Sequence, residues 1–102
     1  MDPAKPDINN IHISDVVVST AGRDAGHWFY VINEDPTYVY LANGKDRFLD
    51  KPKRKKRKHV QKVLRSETRV AEKLRQGDKV LNGELRRDLA FLARDASDNL
   101  GG

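Results

Sequence analysis

Cysteine is absent from this 102-residue chain, so neither a disulfide framework nor a thiolate-bound metal is open to it. Long apolar runs are missing too: no stretch approaches the roughly eighteen residues that a membrane-spanning helix needs. The segment Met1-Asp2-Pro3-Ala4-Lys5-Pro6 has no apolar region and does not read as a signal peptide. Together with the lack of cysteine this gives the expectation of a cytoplasmic protein with no membrane partner. Histidine is scarce and scattered, at His12, His27 and His59, with no ligand pair at helical spacing. Asp24 and His27 are three apart, but on a strand-turn with no nucleophile beside them. The expectation is therefore no catalytic residue, no metal, no cofactor and no small-molecule substrate. The length argues for one domain with a modest core.

Cationic residues, by contrast, are abundant and unevenly placed. From Lys45 to Arg65 there are eleven Lys/Arg against Asp46 and Asp50 alone. The rest of the chain holds nine of the 20 Lys/Arg and 13 of the 15 Asp/Glu. A slightly acidic protein thus carries a basic segment set into it, which points to a polyanion at a defined place.

Short extended segments dominate the first two thirds. Residues 1–12 are polar and proline-containing and read as a loose arm. β-branched and aromatic residues favour strands at about Val16–Ser19 and His27–Asn33. Between them lies Ala21-Gly22-Arg23-Asp24-Ala25-Gly26, where Gly22 and Gly26 allow a tight reversal with positive φ. Glu34-Asp35-Pro36-Thr37 reads as a turn, and Tyr38-Val39-Tyr40-Leu41-Ala42 alternates as a third strand. Asn43-Gly44 has the form of a type I′ hairpin turn, which predicts a fourth strand over about Asp46–Leu49. His59–Leu64 reads as a fifth strand.

The period changes after Ser66. Ser66 is placed to cap a helix over Glu67–Gln76, stopped by Gly77, with Val70 and Leu74 as its apolar stripe. Asn82 is placed to cap a second helix over Gly83–Asp95, where Leu85, Leu89, Leu92 and Ala93 share a face and Phe91 falls off it. Residues 96–102 read as a frayed tail. The expected fold is mainly β: a small curled sheet or SH3-like barrel of four or five strands over 13–65, then two short C-terminal α-helices over 66–95.

Three features bear on function. The run Lys51-Pro52-Lys53-Arg54-Lys55-Lys56-Arg57-Lys58 can bind nucleic acid by releasing condensed counterions; otherwise it is a solvated linker or a localisation address. Mutual repulsion should splay its side chains. The glycine hairpin can bring Arg23 to a phosphate and offer His27 and Trp28 as stacking surfaces, or Arg23 is a solvated turn residue and Trp28 is core. Tyr30, Tyr38 and Tyr40 form a possible aromatic surface; Tyr38 and Tyr40 share one strand face and Val39 and Leu41 the other.

The stretch Asp15-Val16-Val17-x-Ser19-x-Ala21-Gly22-Arg23-Asp24-x-Gly26, followed by an apolar strand, resembles the KOW motif of large-subunit ribosomal proteins and NusG-type elongation factors. Tyr38–Gly44 and the run from Pro52 to Lys62 extend that likeness to small KOW-domain RNA-binding proteins. The resemblance covers residues 12–65. It implies an SH3-like barrel of KOW type and binding to structured RNA, often ribosomal RNA or the ribosome. Two positions depart from it: Ser14 stands where such proteins commonly have glycine, and His27 where they have lysine or arginine. The expected RNA-binding set is Arg23, His27, Lys45, Arg47, Lys51, Lys53, Arg54, Lys55, Lys56, Arg57, Lys58, His59 and Lys62, with Gly22, Gly26 and Gly44 as structural turns. The alternatives are a protein-interaction module using the tyrosine face and the helices, or a transcription-elongation accessory.

Overall fold

β-branched and aromatic runs punctuated by glycine turns fold here into one antiparallel sheet. The computed structural model describes residues 8–101, with side chains over 8–97. The strands are β1 (Asp15–Ser19), β2 (Trp28–Glu34), β3 (Tyr38–Ala42), β4 (Lys53–Lys56) and β5 (Val60–Arg65), in the order β4-β3-β2-β1-β5. Only a three-residue 3-10 turn, Arg57–His59, separates the two edge strands β4 and β5. That short link pulls the edges together, so the sheet curls on itself in a small barrel-like form. Two helices follow, α1 (Arg69–Gln76) and α2 (Asn82–Gly101), completing the expected mainly-β architecture.

Strand alternation gives the sheet one face buried inside the curl and a second that is buried where the helices cover it. Inward from β1, β2, β3 and β5 point Val17, Phe29, Val31, Val39, Leu41 and Val60, joined by Ile11. Outward point Val16, Tyr30 and Ala42, which stand opposite one another in the ladder and pack under Val70, Ala71, Leu85, Leu89 and Leu92 of the helices. Fully burying each such Val, Leu or Phe side chain contributes about 1.5–3 kcal/mol. The helices therefore build a second core on the outer face of the sheet, separate from the one inside it. The stripe Leu85, Leu89, Leu92 buries as its spacing predicts, whereas Ala93 and Phe91 face solvent.

Tyr30 is fully buried at this junction and not part of a surface. Its hydroxyl donates to the Asp88 carboxylate and accepts from the Ser66 hydroxyl at 2.8 Å. Burial and the neighbouring Asp88 push that hydroxyl up to about 12. Ser66, committed to Tyr30, does not cap α1. Thr68 does, its Oγ1 accepting from the Ala71 N–H at 3.3 Å. Helix α1 consequently starts at Arg69, two residues later than expected.

The largest departure lies between β3 and β4. No strand forms over Asp46–Leu49; the basic run itself supplies β4 from Lys53. Asn43 explains this. Its side-chain Oδ1 accepts from the N–H groups of Lys45, Asp46 and Arg47 at 3.0, 2.9 and 3.0 Å, taking the place of ladder partners. Asn43 also lacks the positive φ that a type I′ turn requires. Gly44 alone is left-handed, at φ 75°, and a Cβ there would lie 2.1 Å from Asn82 O. The loop thus docks directly on the first turn of α2. Asn82 does not cap that helix; its Oδ1 accepts from Leu49 N–H at 2.8 Å and latches the loop down. At the other end α2 runs on to Gly101, through most of the segment expected to fray. Of the expected N-terminal arm, residues 1–7 lie outside the described residues, and Ile11 is core.

Candidate nucleic-acid interface

Gly22 and Gly26, at φ 85° and 89°, turn the β1–β2 hairpin back on itself. Gly26 N–H donates to Ser19 O at 2.8 Å and Ser19 N–H to His27 O at 3.0 Å, closing the loop base. Asp24 is folded inward rather than solvated. Its Oδ1 accepts from Ser19 Oγ at 2.8 Å and from Lys55 Nζ at 2.5 Å, and Lys53 Nζ forms an ion pair with Oδ2 at 2.9 Å. Burial alone would raise the Asp24 carboxyl. The Lys55 and Lys53 ammoniums and the Ser19 hydroxyl outweigh it and hold the group well below the ordinary carboxylate range. With Asp24 tied down, Arg23 is left exposed at the hairpin tip.

Strand alternation sorts the basic run into two populations. Lys53 and Lys55 turn toward the hairpin, and Lys55, 8% exposed, also donates to Ala21 O at 2.5 Å. Arg57, 5% exposed, donates through Nη1 to Ile8 O and Ile11 O at 2.9 Å and through Nε to Asp35 O at 2.8 Å. Its Nη2 reaches Glu34 Oε1 at 3.3 Å. These side chains are not splayed by repulsion, because the half-buried carboxylates of Asp24 and Glu34 neutralise them. Lys55 and Arg57, expected as phosphate contacts, are structural in this conformation. Lys62 is likewise engaged, with Asp15 Oδ2 at 3.2 Å and Asn10 O at 3.1 Å. His59 is half-buried, and its carbonyl accepts from Thr20 N–H at 2.9 Å.

The alternate residues face solvent. Arg54 stands opposite Tyr40 and Lys56 opposite Tyr38 in the β3–β4 ladder, which places all four on one face. Arg54 Cζ lies 4.5 Å from the centre of the Tyr38 ring, and the Tyr40 hydroxyl donates to Asp35 Oδ2 at 3.0 Å. The pairing of Tyr38 with Tyr40 on one strand face was legible from alternation. Their juxtaposition with Arg54 and Lys56 was not, since it depends on the displaced β4.

A second cluster forms at the hairpin. Arg23, His27, Arg47 and Lys53 line a groove of about 270 Å³ together with Asp24, Phe29 and Asp46. His27 Nδ1 lies 3.3 Å from Asp46 Oδ2. Among the described residues, Arg23, Lys45, Arg47, Lys51, Lys56 and Lys58 are exposed and form no ion pair. Arg86, which no sequence signal singled out, is equally exposed and lies near Lys45 across the start of α2. Among the described residues no group of three His, Asp or Glu side chains has the geometry to hold a metal, and no helix is long and apolar enough to cross a membrane. No family model matches the chain, and a search of curated proteins gives no match either.

Proposed function

We propose that this protein is a non-catalytic RNA-binding module, ribosome-associated, that docks on structured RNA. One observation carries the reading: β4 places Arg54 and Lys56 beside Tyr40 and Tyr38 on a single exposed face. Exposed cations contribute free energy by releasing counterions from phosphates, and tyrosine faces add about 1–3 kcal/mol per stacked base. Arg23, Lys45, Arg47, Lys51 and Lys58 widen the cationic surface toward the hairpin and the end of β4. Such contacts position a protein on RNA shape more than they select a sequence. The KOW-like hairpin and run are in keeping with this role.

Crosslinking in cells followed by sequencing of the bound RNA tests the proposal. Enriched ribosomal RNA, with crosslinks at Tyr38, Tyr40 or Arg23, supports it; recovery of no enriched transcript contradicts it. A protein-interaction role has one observation on its side, the 61% exposure of Phe91 on α2. Competition separates the two: free RNA displaces a protein partner only if both use the cationic face.

A further inference from the structure

Trp28, half-buried at the start of β2, forms one wall of an open-sided cavity of about 370 Å³ along the flank of α2. The remaining lining is Leu89 and Ala90 from α2, Asn43 and Lys45 from the β3–β4 loop, and Arg86. That volume lies at the small end of the range for ligand pockets, about 300–1,000 Å³. Its chemistry is divided: an indole and the buried Leu89 on its floor, the exposed Ala90 and two cations at its rim. Neither Lys45 nor Arg86 forms an ion pair among the described residues. Among the described residues no carboxylate lines the cavity, unlike the neighbouring hairpin groove, where Asp24 and Asp46 do.

We infer that this cavity takes an unpaired nucleotide of the bound RNA, its base against Trp28 and its flanking phosphates between Lys45 and Arg86. The inference rests on the RNA-binding reading, shares Lys45 with it, and adds Trp28, Leu89 and Arg86, which that reading does not use. An aromatic and aliphatic interior suits the flat, apolar face of a base, and the paired cations suit an anionic backbone entering from outside. The site is also built rather than improvised. The three N–H groups held by Asn43 Oδ1 fix the path of the loop through Lys45. Gly44 lies against the backbone of Asn82 and Arg86, so loop and helix are set at a fixed separation.

Trp28 is the only tryptophan, so the protein's indole emission comes from this wall of the cavity. The full chain is titrated with a short oligouridylate and with a strand of the same length and charge that lacks bases. Overall binding is followed separately by anisotropy of an end-labelled strand. The base-bearing strand should quench Trp28, and the baseless strand should bind roughly five- to hundredfold more weakly without quenching. Lys45→Ala with Arg86→Ala, both exposed positions, should weaken the quenching titration by roughly tenfold. Intact RNA binding with unchanged Trp28 emission overturns the cavity while leaving the RNA reading in place. Equal quenching by the baseless strand overturns the base contact. Failure of both strands to bind, while a folded RNA still binds in the same anisotropy assay, overturns this site alone; failure of the folded RNA as well overturns the RNA reading and this site with it.

Discussion

Lys55 Nζ lies 2.5 Å from Asp24 Oδ1, joining the middle of the basic strand to the glycine hairpin through a nearly buried ion pair. That contact converts one lysine of a cationic run into a structural element, whereas its neighbour Lys56 stays in solvent. Lys55→Ala should cost about 3 kcal/mol, because an almost buried carboxylate loses its main partner. The value sits low in the usual range because Lys53 remains near the same group. Lys56→Ala should change stability by no more than about 0.5 kcal/mol. Urea unfolding of the two variants measures both; equal effects would contradict the sorting of the run.

Acid should unfold the protein partly through this pair. Asp24 has a depressed folded value, so its contribution is full above its ordinary value of 3.8 and drains away as pH falls below that point. Glu34 acts in the same sense: its burial is outweighed by the Ile13 N–H, His12 and Arg57. Asp24→Asn should lower stability at neutral pH and flatten the acid limb of a stability-against-pH curve. An unchanged acid limb in that variant would rule Asp24 out as its source.

Ser14 is the one described non-glycine residue with positive φ, at 75°. It enters β1 in a conformation that glycine adopts without a Cβ penalty. The serine is retained against that strain by a hydrogen bond, its Oγ accepting from Arg75 Nη1 of α1 at 2.7 Å. Ser14→Ala should lose the bond and keep the strain, destabilising by about 1–2 kcal/mol. Ser14→Gly trades one for the other and should stay within about 1 kcal/mol of the parent. Thermal unfolding ranks the pair; glycine worse than alanine would contradict this account.

Two glycines with similar backbones should behave differently. A Cβ at Gly44 meets the Asn82 carbonyl at 2.1 Å, while one at Gly26 meets nothing within 4 Å. Gly26→Ala should cost only the backbone strain, about 1–2 kcal/mol. Gly44→Ala must also move α2 off the loop and should exceed about 3 kcal/mol. Amide exchange over residues 82–90 shows whether the helix loosens; protection equal to the parent would contradict the close packing.

The mainly-β frame was legible because β-branched runs and glycine turns state it locally, as at Val16-Val17-Val18 and Gly22–Gly26. The β3–β4 connection was not. Asn43-Gly44 carries a hairpin signature, but the Asn43 side chain captures three backbone donors and the loop is held from outside by Asn82. Likewise Ser66 has the form of a cap, and only the arrival of Tyr30 from a distant strand diverts it. The basic run read as one uniform cationic ridge because composition does not reveal alternation about an edge strand. Its inward members depend on Asp24 and Glu34, residues far off in sequence that read only as parts of turns.

Binding of RNA through the outward cations is tested most directly by its salt dependence. For six to eight neutralised phosphates the slope of log K against log salt should be about −4 to −7. Replacing Arg54, Lys56 and Lys58 together by alanine should make it shallower by about 2–3 while the fold stays intact. A parent slope near zero, or a triple variant with the parent slope and affinity, would contradict the claim.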